Sequence, residues 1–304
     1  MTNNLIVILG PTGVGKSDIA VELAQRLKCD IISADSRQFY KEMRIGTAVP
    51  DNHQLNTVKH HFIQFLPADS YYSSSLFERD VLKLLPQLFS TNNTAIMAGG
   101  SGLYLDAVCN GIDDIPDIDH DVRAKYNAMY IELGVEKLRT TLKLLDPEYY
   151  AKVDLKNHKR IIRALEICES TGLPYSSFLS MRKTQRNFGI IKIGLSRNRE
   201  ELYEMINKRV DKMIAEGLEN EARSLYNLKH LNAMNSVGYR EFFHYFDGQI
   251  SREEAISLIK RNSRRYAKRQ MTWWAKDNEI VWFDAGAKEE IFKFVGKALS
   301  CKQL

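Results

Sequence analysis

The stretch LIVILGPTGVGKS, residues 5–17, decides the fold of this chain. Residues 5–9 form an apolar run rich in β-branched side chains, too short for a core helix and typical of a buried parallel strand. Residues 10–17 match the phosphate-loop pattern G-x-x-x-x-G-K-[ST] in full. An amphipathic helix is predicted over residues 16–28. A chance glycine loop is the alternative, but strand, loop and helix follow in the order that phosphate binding needs.

The residues of this loop have separate tasks in binding an anion. Glycines allow backbone N–H groups to turn towards phosphate oxygens. The Lys16 side chain adds a positive charge, and the Ser17 hydroxyl is a ligand for Mg²⁺. We therefore predict a diphosphate site made of Gly10, Pro11, Thr12, Gly13, Val14, Gly15, Lys16 and Ser17. The motif alone does not say which phosphate compound binds or which bond breaks.

Composition restricts the class of protein. The chain has 304 residues, of which 44% are hydrophobic and 27% charged, as in a globular protein with a full core. No apolar stretch approaches the ~20 residues of a membrane helix. The four cysteines are widely spaced, without the spacing of zinc ligands or of a redox pair, so we expect reduced thiols and a cytoplasmic protein. Separately, we expect a monomer.

The order of predicted elements indicates the fold class. Further strands are predicted over residues 29–34, 94–98, 189–195 and 280–283, with a shorter one within 60–65. Helices are predicted over 76–89 and 199–216, a further helix opens at a capping box over 251–254 and runs through 274, and residues 121–180 have helical periodicity throughout. We predict an α/β fold, a P-loop NTPase-like parallel sheet with flanking helices over residues 1–111 and 189–304. Residues 112–188 would be an all-helical insertion domain.

Two strand ends carry polar or glycine-rich segments that belong near the phosphate loop. Asp35 follows the second predicted strand, and ligands of open α/β sheets bind at that edge. The alternative is that Asp35 only caps the next turn. Residues 99–104, GGSGLY, form a second glycine-rich turn after the strand over 94–98. This turn either adds to the site or allows close packing.

Two basic segments raise the question of a polyanionic partner. Lys156, Lys159, Arg160 and Arg163 cluster on one helix, where a solvated face and a nucleic-acid contact are both open. The helix over 260–274 has two rows of cations spaced by four, interleaved with aromatic residues and without an acid between them. These rows are Lys260, Arg264 and Lys268, and Arg261, Arg265 and Arg269. Phosphate backbones bind such a pattern.

An ordered series of motifs resembles the family of tRNA dimethylallyltransferases, also called tRNA isopentenyltransferases. The resemblance spans nearly the whole chain and is far more specific than a phosphate loop alone. Its motifs are Gly10-Pro11-Thr12 with Lys16-Ser17, Ile32 to Gln38 with Tyr40, Ile45 to Ala48 before Pro50, Gly99 to Tyr104, Arg163 to Glu166, Val237 to Tyr239, and Ala267 to Gln270 with Thr272-Trp273.

The resemblance implies a reaction and a set of substrates. A dimethylallyl group would move from dimethylallyl diphosphate to the exocyclic N6 amine of the adenosine on the 3′ side of a tRNA anticodon, and diphosphate would leave. Mg²⁺ is the implied cofactor. By this resemblance Asp35 is the general base, Ser17 and the loop hold diphosphate and metal, and Arg209 lies near the diphosphate.

The resemblance also implies contacts with tRNA. The residues expected in them are Asp35, Ser36, Arg37, Gln38, Ser101, Arg123, Lys159, Arg160, Ile161, Ile162, Arg163, Gly238, Tyr239, Arg240, Lys268 and Arg269. Two positions depart from the family pattern, Gln64 where an acid is usual and Met205 where many relatives have arginine.

Three other functions compete with tRNA prenylation. A small-molecule kinase would use the loop for ATP, but no lid of arginines and no second strand-end acid are evident. A prenyltransferase of free adenine nucleotides shares the chemistry but has less need of the basic segments. An RNA-binding protein with an inactive nucleotide site would not need Lys16, Ser17 and Asp35 together.

Overall fold

The computed structural model describes residues 3–113, 115, 120–179 and 184–301. The chain divides into two compact units, Met1–Asn110 with Gln185–Leu304, and Gly111–Thr184. Of the predicted insertion, residues 114, 116–119 and 180–183 lie outside the described residues.

The first unit contains a six-stranded parallel sheet with strand order β3-β2-β4-β1-β5-β6. Its strands are β1 Asn4–Leu9, β2 Ile31–Ser33, β3 His60–His61, β4 Thr94–Gly99, β5 Gly189–Ser196 and β6 Ile280–Asp284. The helices of this unit are α1 Lys16–Leu27, α2 Asn52–Thr57, α3 Ser74–Thr91, α4 Gly102–Asn110, α8 Arg199–Ala215, α9 Leu218–Ser224, α10 Tyr239–Phe246, α11 Arg252–Trp274 and α12 Lys288–Cys301. The predicted α/β fold with a parallel sheet and flanking helices is confirmed.

The central strand β1 explains why the sheet is covered on both faces. Its alternate side chains point to opposite faces, as the period of a strand requires. Ile6 and Ile8 pack in a cluster with α1, α8 and α12, whereas Leu5 and Val7 pack in a cluster with α3 and α4. All four side chains are fully buried. The sheet is therefore the middle layer of a three-layer unit.

Two predicted strands are shorter than expected. The strand predicted over 29–34 extends only over Ile31–Ser33, and that within 60–65 only over His60–His61. Phe62 and Gln64 have left-handed backbones, with φ of 62° and 47°, which ends the extended conformation. Gln64 donates a hydrogen bond from its side chain to Lys41 O at 2.9 Å.

The second unit is helical over its described residues. Its helices are α5 His120–Leu145, α6 Pro147–Lys152 and α7 His158–Thr171. Gly134, with φ 74° and ψ −177°, interrupts α5. Asp146 caps α6, and its buried carboxylate also accepts hydrogen bonds from Ser176 N and Ser176 Oγ. Ile161 and Leu165 of α7 lie in the hydrophobic core of this unit.

Candidate active site

The phosphate loop follows β1 directly and leads into α1. Gly13 and Gly15 have φ of 80° and 101°, a left-handed conformation that side chains rarely tolerate. A Cβ on Gly13 would also lie 2.9 Å from the side chain of Ile206 on α8. The Lys16 Nζ donates hydrogen bonds to the carbonyl oxygens of Gly10 and Pro11, both at 2.9 Å. The lysine is thus folded over its own loop.

The charge on Lys16 is held in an unfavourable place. Burial, with a smaller contribution from the positive charge of Arg209, lowers the pKa of the Lys16 amine to about 7, and the negative charge of Asp35 partly opposes this shift. Burial also lowers the pKa of the Arg209 guanidinium, and Asp35 again opposes the shift. Two half-buried cations that line the same cavity favour an anionic ligand, since the ligand would relieve their repulsion.

Arg209 comes from α8, on the far side of the loop. Its Nη1 is 3.4 Å from the Oγ1 of Thr12. The sequence placed Arg209 near a diphosphate only through the family resemblance. The structure brings it to the phosphate loop.

Asp35 lies where β2 ends, at the carboxyl edge of the sheet. Its Oδ1 accepts a hydrogen bond from Arg37 N at 3.0 Å, so the side chain does cap a turn. The same carboxylate lies in the walls of two cavities. Among the described residues, no cation comes within 4.0 Å of the Asp35 carboxylate. Asp35 is therefore free to contact a ligand with its other oxygen.

The two cavities meet at one wall. The first has a volume of about 530 Å³ and contains the phosphate loop, Ser17, the glycines of the second turn and Met205. The second has a volume of about 390 Å³ and is lined by Ser36, Arg37 and Arg269, among others. Four residues belong to both walls, namely Thr12, Asp35, Arg209 and Tyr266. Burial, with the charge of Asp35, raises the pKa of the Tyr266 hydroxyl to about 12.

Gln270 holds the phosphate loop from α11. Its Oε1 accepts a hydrogen bond from Thr12 N at 2.8 Å, and its Nε2 donates one to Gly100 O at 2.8 Å. A Cβ on Gly100 would lie 2.4 Å from this Nε2, so a side chain there would displace the Gln270 amide. Sequence reasoning missed this role, because Gln270 is 258 residues from Thr12 and has no local signal. Its place in the family motif was the one available pointer.

The second glycine-rich turn lies beside the phosphate loop. Gly99 and Gly100 line the first cavity. Ser101 is buried, and its Oγ accepts a hydrogen bond from Ser36 N at 3.0 Å and donates one to Ser36 Oγ at 3.2 Å. The turn therefore contributes to the site and also fixes the segment after Asp35.

Several residues expected to contact tRNA prove to be internal. The Gln38 side chain bonds to Ser33 Oγ and to the carbonyl oxygens of Thr47 and Ala48. Tyr239 is fully buried, and its hydroxyl lies 2.6 Å from the Glu221 carboxylate. Burial, together with the negative charge of Glu221, raises the pKa of the Tyr239 hydroxyl. Its neighbours Gly238 and Arg240 do line the second cavity.

The two rows of cations on α11 have different surroundings. Lys260 forms an ion pair with Asp211 of α8 at 2.5 Å, and Arg264 donates to Asn207 Oδ1 at 2.6 Å. The expectation of cations without a neutralising acid is therefore wrong for Lys260, because the acid comes from another helix. Lys268 and Arg269 are exposed. Both remain available to a polyanion.

The basic segment of the second unit also divides into exposed and buried parts. Lys159 and Arg160 are exposed, whereas Ile161 and Ile162 are buried in the core of that unit. The side chains of both isoleucines pack inwards, so the tRNA contact expected of Ile161 and Ile162 stays a prediction that only their backbone could fulfil. This inward packing positions the cations beside them.

Buried Glu166 anchors two cations of the second unit. Its carboxylate accepts hydrogen bonds from Arg123 Nε at 2.7 Å and Arg123 Nη2 at 2.9 Å, and Arg163 lies 3.6 Å away. Arg123 and Arg163 therefore have a structural partner in addition to any ligand.

The side chains that the structure describes do not by themselves form a metal centre. In the described ranges of the chain, no three His, Cys, Asp or Glu side chains converge as metal ligands. Ser17 and Asp35 both line the first cavity and offer hard oxygen ligands. Such a sparse set of oxygen ligands fits Mg²⁺. This ion usually keeps several waters and is bound by one or two protein ligands together with substrate phosphates. Within the described part of the chain, every helix is too short or too polar to span a bilayer.

Fold and site together define a P-loop α/β protein in which the cavity around the phosphate loop adjoins a second cavity. Comparison with known proteins gives the particular family. Residues 38–277 match the family model described as IPP transferase. The chain belongs to this family.

The match to its relatives extends over nearly their whole length. The chain is 52% identical to the tRNA dimethylallyltransferase of Christiangramia forsetii, covering 93% of this chain and 94% of the relative. It is 49% identical to tRNA dimethylallyltransferase 1 of Phocaeicola vulgatus, covering 97% and 98%. The solved tRNA isopentenylpyrophosphate transferase of Bacillus halodurans has a TM-score of 0.72 and 36% identity, covering 99% and 98%.

A structure of a eukaryotic dimethylallyltransferase acting on tRNA is also similar. Its TM-score is 0.79 at 26% identity, and the match covers 93% of this chain and 74% of that one.

Proposed function

We propose that this protein transfers a dimethylallyl group from dimethylallyl diphosphate to the exocyclic amine of the adenosine on the 3′ side of a tRNA anticodon. Membership of the IPP transferase family and the names of its relatives support the reaction class. The observation that carries the proposal is the place of Asp35 in the wall that the two cavities share. An anionic donor and a nucleobase acceptor would meet at that carboxylate.

In this reaction the first cavity holds the diphosphate. Loop amides, Lys16 and Arg209 surround the position where negative charge builds up as the C–O bond of the allylic diphosphate breaks. Preorganised charges of this kind are often the largest contribution to catalysis. Mg²⁺ held by Ser17 and the diphosphate would add further neutralisation of the leaving group.

The second cavity receives the adenosine. As the new C–N bond forms, the N6 amine must lose a proton, and the Asp35 carboxylate accepts it. The turn hydrogen bond from Arg37 N fixes one Asp35 oxygen and leaves the other for the amine. The base must leave its stack to enter a cavity, at a cost of roughly a few kcal/mol. Tyr266, in the shared wall, offers an aromatic side chain to the base.

Phosphate contacts of the tRNA would offset that cost. We infer that exposed Lys268 and Arg269 of α11 and exposed Lys159 and Arg160 of the second unit bind the tRNA backbone. Neutralising one such cation should reduce the slope of the logarithm of the tRNA binding constant against the logarithm of the salt concentration by about one. Lys152 is a matched control in the second unit, because Glu148 already neutralises it at 2.7 Å.

The test is a single assay with labelled dimethylallyl diphosphate and total tRNA, followed by mass analysis of the nucleosides. We expect the label on an adenosine next to the anticodon, and AMP should not compete with tRNA. ATP turnover with a metabolite and no labelling of tRNA would contradict the proposal. Preferred labelling of AMP would assign the enzyme to free nucleotides instead.

A further inference from the structure

One irregular segment forms part of both cavities. Residues 44–50 contain no strand or helix. Gly46 and Thr47 line the second cavity, whereas Ala48, Val49 and Pro50 line the first. Ala48 has a left-handed backbone with φ 48°, which an alanine adopts only when its surroundings impose it. The shape of both cavities therefore depends on what holds this segment.

A single carboxylate holds the first half of the segment. Glu221, from α9, accepts hydrogen bonds at one oxygen from Arg44 N at 3.1 Å and Ile45 N at 2.8 Å. Its other oxygen accepts from Gly46 N at 2.9 Å and from the Tyr239 hydroxyl at 2.6 Å. Three consecutive backbone N–H groups thus converge on one side chain, much as they would on a bound anion.

Tyr239 completes this clamp. Its ring packs so closely on Gly46 that a Cβ there would lie 2.6 Å from the ring. Tyr239 begins α10, directly after Gly238 in the wall of the second cavity. The Glu221 carboxylate therefore joins two segments that each contribute to that wall, residues 44–46 through Gly46 and residues 238–239 through Gly238.

The second half of the segment has a separate anchor. The Gln38 Nε2 donates to the carbonyl oxygens of Thr47 at 3.1 Å and Ala48 at 3.0 Å, and its Oε1 accepts from Ser33 Oγ at 3.1 Å. This anchor does not involve Glu221. Backbone hydrogen bonds from Ala48 N to Ile45 O at 2.9 Å and from Val49 N to Arg44 O at 3.1 Å join the two halves, but the Gln38 anchor holds residues 47–48 independently of Glu221. Loss of the Glu221 clamp should therefore loosen the wall of the second cavity more than the phosphate side.

We propose that Glu221 is a positioning residue that shapes the second cavity and thereby places the acceptor base against Asp35. This inference rests on the proposed function, since it assigns the second cavity to the base. Glu221 itself does not line either cavity, so its effect would act through Gly46 and Tyr239.

Three variants and one control separate the contributions. Glu221→Gln keeps the size of the side chain, but one oxygen becomes an amide group that cannot accept from Gly46 N. Tyr239→Phe removes a single hydrogen bond and keeps the ring on Gly46. Glu221→Ala removes all four hydrogen bonds. Glu219→Gln is the matched control, because Glu219 lies on the same helix and pairs instead with Arg252 at 2.7 Å.

The readouts distinguish positioning from general instability. Because a misplacement of about 1 Å can cost on the order of 10²-fold in rate, we expect kcat for tRNA prenylation to fall about tenfold or more in Glu221→Gln. Tyr239→Phe should lose less and Glu221→Ala more, in that order. Affinity for inorganic diphosphate and its binding stoichiometry should stay within about twofold of wild type, and so should tRNA affinity, which phosphate contacts dominate.

Each outcome decides the matter. A kcat of Glu221→Gln within twofold of Glu219→Gln would overturn the positioning role. If Glu221→Gln fails to bind diphosphate with full stoichiometry, Tyr239→Phe becomes the test. A loss of kcat in Tyr239→Phe would support the positioning role, and an unchanged kcat would overturn it. A wild-type enzyme that binds diphosphate but does not modify tRNA would instead contradict the proposed function. An active wild type with equal kcat in Glu221→Gln and Glu219→Gln would contradict only the role of Glu221.

Discussion

Diphosphate affinity should fall as the pH rises through the pKa of Lys16, and Lys16→Met should remove that part of the pH dependence. Burial and the charge of Arg209 lower the pKa of Lys16 to about 7 in the free protein. Above that pH the amine is largely neutral and contributes no charge. A bound polyanion favours the ammonium form, so binding takes up a proton.

The size of the effect follows from the fraction of protonated lysine. With a pKa of about 7 and binding through the charged form alone, the Kd contribution of Lys16 rises about fivefold from pH 7 to pH 8 and about fiftyfold from pH 7 to pH 9. Below pH 6 the amine is already protonated, so the contribution of Lys16 should become constant there.

Calorimetric titration with inorganic diphosphate between pH 6 and pH 9 measures this directly. Diphosphate itself titrates in this range, so the informative quantity is the difference between wild type and Lys16→Met at each pH. Buffers of different ionisation enthalpy should reveal the uptake of up to one additional proton in wild type. If the difference in diphosphate affinity between wild type and Lys16→Met does not change between pH 6 and pH 9, the claim that the site lowers the pKa of Lys16 is refuted.

Three other substitutions test separate parts of the account. Gln270→Ala removes one hydrogen bond to the phosphate loop, at Thr12 N, and one to the second glycine-rich turn, at Gly100 O, and should weaken diphosphate binding about tenfold. Thr272→Ala, further along the same helix, should leave the affinity unchanged, and equal affinities of the two variants would contradict this role of Gln270. Arg209→Gln should lower kcat by about 10²-fold, and a loss under fivefold would exclude its role in stabilising the leaving group. Glu166→Gln should destabilise the second unit by about 2 kcal/mol, seen as faster hydrogen exchange in α7, whereas exposed Glu169→Gln should not.

The phosphate loop was predictable because its signals are local. Strand, glycine loop and helix are contiguous, and β1 is buried on both faces, which a continuous apolar run indicates. Strand ends were harder. β3 stops after His61 because the backbone of Phe62 is left-handed, a conformation for which the sequence has no local signal.

The contacts that shape the site were beyond sequence reasoning, because they join distant parts of the chain. Nothing near Gln270 or Glu221 reveals that one holds the phosphate loop and the other the segment over 44–46. Asp211 neutralises Lys260 from another helix, so counting charges along α11 overestimated its free cations. Ile161 was expected at a tRNA interface only because it lies between cations in a family segment.

The most direct test of the central claim is Asp35→Asn. The amide keeps an oxygen for the hydrogen bond from Arg37 N, so the turn should survive, but it cannot take a proton from the adenosine amine. With saturating donor and tRNA, we expect single-turnover prenyl transfer to fall by about 10²–10⁴-fold, while diphosphate and tRNA affinities stay within about threefold. Transfer within tenfold of wild type would contradict the assignment of Asp35 as the base between the two cavities.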